Sequence, residues 1–250
     1  MQTEWDYTEL AESYLKRPPY SEAVIEAFLR KAGIAPDMKV CDIGAGTANL
    51  TLSLLQWGLH VVAVEPNEAM RRLGMKRTQT ESNVCWHESC GESTALPSGH
   101  FDAVTFGSSF NVVDRRRALV ETARILKSGG WFACLWNFRD LRNPLQRAIE
   151  EIIQAYLPDY AYGIRRENQE SVIKESGLFC SIRRIDGDIL HRMTQADCLE
   201  AWRSHATLRR QAGDEFEIIL ADIGRALQRT KLRVIEVPYT TRLWMAQKAC

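Results

Sequence analysis

The stretch Val40-Cys-Asp-Ile-Gly44-Ala-Gly46-Thr-Ala-Asn49-Leu constrains the fold of this chain more than any other. An apolar, strand-like run meets two glycines, and a helical pattern begins at once behind them. That order is the opening half of a strand–helix–strand unit. Gly44 and Gly46 let the backbone turn sharply and approach a ligand closely, because a Cβ would intrude. The helix start behind them offers free N–H groups and a positive dipole end. The same alternation continues down the chain. Strands are expected over 39–43, 60–65, 83–88, 100–107 and 131–136, and helices over 21–33, 49–57, 67–76 and 115–126. Ser21 and Gly33 bracket the first helix as N-cap and exit. The central strands are nearly continuous apolar runs, as strands covered on both faces should be. Repeats of this length imply an α/β fold with a doubly wound, parallel sheet.

Beyond residue 138 the pattern changes. Helices are expected over 145–156, 169–176, 194–210 and 215–229, and strands over 180–191 and 233–246. Two strands split by a helical excursion predict an antiparallel hairpin at one sheet edge, with the excursion folded over the sheet. Such a cap, at about 194–230, encloses a small-molecule substrate and leaves a nucleic-acid duplex little room. We read one domain, 1–250, with N-terminal lid helices at 1–34, a core at 35–137, and edge strands plus cap at 138–250. Trp5 and Tyr7 belong to the lid. Lys and Arg number 32 against 32 Asp and Glu, so the broad basic field that holds a protein on nucleic acid or anionic lipid is absent. The longest apolar runs fall far below the roughly 20 residues of a membrane span. Residues 1–20 lack the apolar stretch of a signal peptide, which makes a cytoplasmic location the expectation. Seven cysteines are scattered without a CxxC pair, so neither a disulfide framework nor a structural metal is expected. Cys41 and Cys134 read as buried thiols acting as small hydrophobes.

The second strand, His60-Val-Val-Ala-Val-Glu65, ends in an acid 19 residues after Gly46. At that spacing a carboxylate can accept both hydroxyls of an adenosine ribose. The dinucleotide fingerprint would place a third glycine where this chain has Asn49. The bulkier residue holds the helix away from the strand and leaves less room for a pyrophosphate, which disfavours a nicotinamide oxidoreductase.

Several motifs agree in order and spacing: the strand–GAGTANLT–helix unit, Val-Glu65-Pro66-Asn67, Gly91-Glu92-Ser93-Thr-Ala-Leu96-Pro97, Phe101-Asp102-Ala-Val and Arg124-Ile-Leu-Lys-Ser-Gly129-Gly130. Together they resemble class I S-adenosylmethionine-dependent methyltransferases. Tyr14-x-x-Arg17-Pro18-Pro19-Tyr20 and Trp136-Asn137-x-Arg139-Asp140 are similar to the small-molecule branch around trans-aconitate methyltransferases, as are 199–208 and 238–248. The resemblance implies a seven-stranded, mostly parallel Rossmann-like sheet, with a lid before it and a helical cap inserted before the last strand. It implies S-adenosyl-L-methionine as cofactor. Asp42, Gly44, Ala45 and Gly46 would line its methionine part, beside the helix start at Asn49. Glu65 would take the ribose, and Pro66, Asn67 and Met70 would surround the adenine. Gly91, Glu92 and Ser93 would meet the adenine edge, and Ser108 and Ser109 the amino-acid end. Tyr14 and Arg17 would close over the cofactor, where an aromatic face suits a sulfonium through cation–π attraction.

One position departs from that branch. Its segment Gln-Ala-x-His-Trp is here Ser108-Ser109-Phe110-Asn111-Val112. Asn111 thus stands where a general-base histidine would, and an amide takes no proton near neutral pH. Either the substrate arrives ionised, as a carboxylate does, or another residue deprotonates it, with His205, Tyr20 and Asp140 as candidates. Trp202, His205 and Arg209 fall on one face of a cap helix and could point together into the pocket. With Tyr20, Trp136 and Arg139 they form the expected substrate-binding set, and Asn111 and His205 the catalytic one. Arg115-Arg116-Arg117 reads as a solvated helix start. Pro18-Pro19-Tyr20 matches the N/D-P-P-Y element of base and amide methyltransferases in composition but lies before the first strand, so the match is spurious. The expected activity is methyl transfer to a small polar or anionic metabolite at a carboxylate or hydroxyl oxygen, with no nucleic-acid or membrane partner. The alternatives are a non-catalytic binder of the cofactor and an N- or C-methyltransferase of a natural-product pathway.

Overall fold

Val40, Cys41 and Ile43 are fully buried in β1 (Lys39–Ile43) because this strand runs through the middle of the sheet. The computed structural model describes residues 6–249; Trp5 and Cys250 lie outside the described residues. β1 pairs in parallel with β2 (His60–Val64) and β4 (Phe101–Gly107), β2 with β3 (Val84–His87), and β4 with β5 (Leu126–Arg139). β6 (Phe179–Thr194) and β7 (Val234–Lys248) form a long antiparallel hairpin, and β7 runs antiparallel to β5. The strand order is β3-β2-β1-β4-β5-β7-β6. The excursion between β6 and β7 and the antiparallel edge stand as the sequence predicts. Within β5 the pairing jumps from Phe101↔Leu126 to Ala103↔Trp131. Residues 127–130 loop out there, and Gly129 supplies the left-handed backbone at φ 71°.

A short α1 (Ala11–Tyr14) precedes α2 (Glu22–Ala32), which leaves the helical path at Gly33 in the left-handed region. α3 (Asn49–Gln56), α4 (Glu68–Arg77) and α5 (Arg115–Ile125) follow β1, β2 and β4. Asn67 caps α4 and Asp114 caps α5 by accepting first-turn N–H groups. The arginines that open α5 are solvated or paired, Arg116 with Glu175.

Phe106, Phe110, Phe132 and Phe179 fill one face of the sheet. Val24, Phe28, Leu50 and Leu54 fill the other. A third core builds the cap. It joins α6 (Pro144–Tyr156), α8 (Gln195–Arg203), α9 (Ala206–Ala212) and α10 (Phe216–Arg229) to the far halves of β6 and β7, with α7 (Glu170–Glu175) outside it. The single helix expected over 194–210 is two. Ser204 ends α8, its hydroxyl donating to the Ala201 carbonyl, while Arg17 takes the Ser204 carbonyl from outside. A long-range guanidinium thus claims an acceptor that a continuing helix would use.

On α4, Gly74 packs against Trp86. A Cβ there would lie 2.1 Å from Trp86 Cη2 and 2.8 Å from the Gly46 carbonyl oxygen. Gly74→Ala would gain about 1 kcal/mol in helix propensity, but overpacking costs roughly 1–3 kcal/mol and the Gly46 backbone cannot yield. The melting temperature is therefore expected to fall; a rise on thermal denaturation would contradict this packing.

Candidate active site

The turn at Gly44 and Gly46, the end of β2 and the loop after β4 surround a cavity of about 1070 Å³ at the carboxyl ends of the parallel strands. This is where open α/β sheets bind ligands. Glu65 lines it, 7% exposed. Its Oε2 accepts the Gly46 N–H at 2.9 Å and its Oε1 the Asn67 N–H at 2.8 Å. Burial raises its proton affinity while those two N–H donors work against the rise. Asp42, fully buried behind the turn, accepts hydroxyl hydrogens from Thr51 at 2.7 Å and Thr105 at 3.1 Å. Burial nevertheless pushes its carboxyl up to about 7.

Glycine at 44 is required twice. Its φ is +67°, and a Cβ would stand 2.4 Å from Ser109 Cβ. Ser109 is itself tied down by donating to the Ile43 carbonyl at 2.5 Å. Ser108 holds a left-handed backbone at φ 58°, a strain that persists where surrounding contacts over-determine it. Its Oγ lies 2.8 Å from the Tyr20 hydroxyl. Ala45, Asn49, Pro66, Met70, Gly91 and Glu92 also line the cavity.

The N-terminal segment contributes to this wall. Tyr7 and Tyr14 meet edge to face at 6.1 Å, and both line the cavity. Asn67 donates to Asp6 and Thr8. On the cap side Ser13 donates to Glu200 and Lys16 pairs with Asp197 at 2.7 Å.

A narrower side cavity of about 70 Å³ adjoins the first, sharing walls at Tyr14, Tyr20, Ser108, Asn111 and Tyr162. Trp136 lines it and donates its indole N–H to Asn111 Oδ1 at 2.8 Å. The carbonyl of Asn111 is thereby occupied, leaving its amide N–H groups as the free donors. Arg139 enters from the end of β5, stacked at 3.7 Å over the Trp202 ring and 5.7 Å from that of Tyr239.

Several expectations are corrected here. Trp202 and Arg209 line neither cavity. Trp202, 2% exposed, belongs to the cap core, and Arg209 pairs with Glu9 at the surface. The break at Ser204 turns α9 so that Thr207, Arg210 and Gln211 face the main cavity instead. Arg17 lies on the side cavity, holding Ser204 Oγ and the Ser204 carbonyl, and does not line the main cavity. Ser93 does not line the cavity, since its carbonyl accepts the Ser89 hydroxyl in a tight turn. The other base candidates also fail. His205 Nε2 faces an Arg139 N–H at 3.0 Å, and burial plus the surrounding arginines hold its pKa well below the usual imidazole range. Burial raises the Tyr20 phenol, and Arg142 lowers Asp140.

Sequence reasoning missed Tyr162 and Ile164 on the main cavity and Arg165 and Arg166 on the side cavity. All lie between α6 and α7, where no element was expected. An unassigned stretch of a dozen residues bearing two tyrosines and two arginines was the available signal, because long ordered loops are commonly functional.

This sheet order, with an antiparallel last strand beside β5 and an acid at the tip of β2, defines a Rossmann-like fold of the class I methyltransferase type. Residues 41–134 match the family model described as a methyltransferase domain. An uncharacterized methyltransferase of Mycobacterium tuberculosis (strain ATCC 25618 / H37Rv) is 36% identical over 137 residues, 55% of this chain and 54% of that protein. The chain thus spans about half the length of the curated relatives it matches. Among solved structures, one assigned as a type II methyltransferase from Anaeromyxobacter dehalogenans superposes with a TM-score of 0.66 at 20% identity, covering 92% of this chain and 97% of that one. Phosphoethanolamine N-methyltransferase 2 of Haemonchus contortus, in complex with phosphomonomethylethanolamine and S-adenosylhomocysteine, gives 0.52 at 16% identity, covering 91% and 52%. At these identities the two structures share the fold. No helix among the described residues is long and apolar enough to cross a membrane.

Proposed function

We propose that the protein transfers a methyl group from S-adenosylmethionine to a small polar or anionic metabolite, at a carboxylate or hydroxyl oxygen. The observation that carries this reading is the lining where the two cavities meet. Asn111 offers amide N–H groups, Ser108 and Tyr20 offer hydroxyls, and Arg139 lies behind them. That wall presents donors and cations to an acceptor and holds no free base, which suits an oxygen that arrives with its negative charge. The fit to the cofactor rests on the acid bridging Gly46 and Asn67 and on the glycine turn, whose space a Cβ would fill. When bound, S-adenosylmethionine supplies a methyl group already activated by its sulfonium. The chain's contribution is then alignment and exclusion of water. Glu65 would hold the ribose, Asp42 and the Gly44–Gly46 turn the amino-acid end, and Tyr7 and Tyr14 would cover the site.

Titration with S-adenosylhomocysteine, followed by transfer of labelled methyl to a panel of carboxylates, alcohols and amines, tests the reading. Base-labile methyl esters or methyl ethers support it. Methylamines, C-methyl products or tight cofactor binding without transfer would replace it. Asn111→Ala is expected to lower kcat/KM roughly 10- to 100-fold with cofactor affinity unchanged; equal effects on both would remove its substrate-side role.

Asp42 makes cofactor affinity depend on pH. An ammonium group beside it favours the ionised carboxylate, so affinity should rise as pH increases through about 7 and fall up to tenfold per unit below it. On the cofactor-free protein the sign is opposite. The raised carboxyl favours the fold when protonated, so that contribution is lost as pH climbs from about 4 toward about 7. Asp42→Asn should flatten both profiles in calorimetry, and a persistent slope would assign them to another group.

A further inference from the structure

The side cavity carries more positive charge than the methyl-transfer reading uses. Arg17, Arg139, Arg165 and Arg166 line it, with no aspartate or glutamate in its wall. Among the described residues none of the four forms an ion pair with a carboxylate. Arg17 donates only to Ser204, Arg139 lies between aromatic rings, and Arg166 stacks 3.5 Å over Tyr162. Arg165 is half-buried, and its partial desolvation, with Arg17 and Arg139 close by, pulls it down to about 10. Arg17, Arg139 and Arg165 are half-buried and Arg166 is exposed, and four like charges around one space with no carboxylate in its wall favour an anion there.

His205 supplies a second, independent mark. A guanidinium can only donate, so Nε2 accepts from Arg139 and the ring proton must sit on Nδ1. That Nδ1–H is buried and has no hydrogen-bond partner, on a residue 2% exposed that lines this cavity. The four guanidiniums and the His205 Nδ1–H are all donors. The space, about 70 Å³, is small beside the main cavity of about 1070 Å³. A single planar carboxylate would satisfy one guanidinium fork and leave the other cations uncompensated. A tetrahedral oxyanion presents oxygens in several directions and brings two charges.

We propose that the side cavity is a subsite for a compact dianionic oxyanion of the phosphate class, carried by the methyl acceptor at its non-reacting end. The assignment rests on the methyltransferase reading of the adjoining cavity. The probe is inorganic phosphate, titrated calorimetrically into the full chain saturated with S-adenosylhomocysteine, at constant ionic strength. One saturable site per chain is expected, weakened about tenfold or more by Arg165→Gln, with S-adenosylhomocysteine affinity retained. In parallel, phosphate should raise the melting temperature of the unmodified protein where equimolar acetate or succinate does not. That comparison stands even if the variant fails to fold. The absence of saturable phosphate binding, equal stabilisation by succinate, or binding indifferent to Arg165→Gln in a folded variant would overturn the subsite. Failure of S-adenosylhomocysteine to bind the unmodified protein would instead overturn the methyltransferase reading beneath it.

Discussion

Replacing Glu65 with alanine is expected to weaken S-adenosylhomocysteine binding by about 1.5–3 kcal/mol, roughly 10- to 150-fold, the order of lost charge-assisted hydrogen bonds. The carboxylate joins the glycine turn to the start of α4 through Gly46 N–H at 2.9 Å and Asn67 N–H at 2.8 Å. The variant would remove the proposed ribose acceptor and release the two loops that flank it. Glu65→Gln separates those effects. It keeps one acceptor oxygen but turns an N–H group toward a backbone donor, so an intermediate loss is expected. Calorimetric titration of both variants decides, with melting temperature as the control for folding. Unchanged affinity in Glu65→Ala would place the ribose elsewhere and remove the main support for the cofactor assignment.

Trp202→Ala should give the largest loss of stability, about 3–5 kcal/mol, as for other buried aromatic truncations. The indole fills the cap core, with the Arg139 guanidinium 3.7 Å from its centroid and the His205 ring stacked at 4.9 Å. Removing it opens a cavity and takes the aromatic face from a half-buried cation. For a chain of this size that corresponds to roughly 6–20 °C in melting temperature, readable by scanning calorimetry. Trp202→Phe should recover part of it. A shift under 2 °C in the alanine variant would mean that the cap core does not depend on this side chain.

Much of the sheet was legible in the amino-acid order because each central strand is its own evidence. Val40, Cys41 and Ile43, and Val61–Val64, put apolar side chains on both faces and end at turn-forming residues, a local pattern that survives any packing. Glu65 was legible for the same reason: a residue at the tip of β2 next to the glycine turn needs only the strand–helix–strand path to reach it. The cap was different. The apolar spacing of 194–210 permits one helix, and nothing local announces that Arg17 will claim the Ser204 carbonyl. That contact joins residues 187 positions apart, and it decides which face of α9 meets the cavity.

From order alone, then, came the alternating strands and helices, the turn that a cofactor can approach, and the acid that faces it. These depend on short-range periodicity and backbone conformation. The arginine-lined side cavity, the tautomer of His205 and the orientation of the Asn111 amide came only from the folded chain. Arg17, Arg139 and Arg165 reach one space from the lid, the end of β5 and a loop before α7. Burial and electrostatic fields depend on distances in space that separation along the chain does not encode.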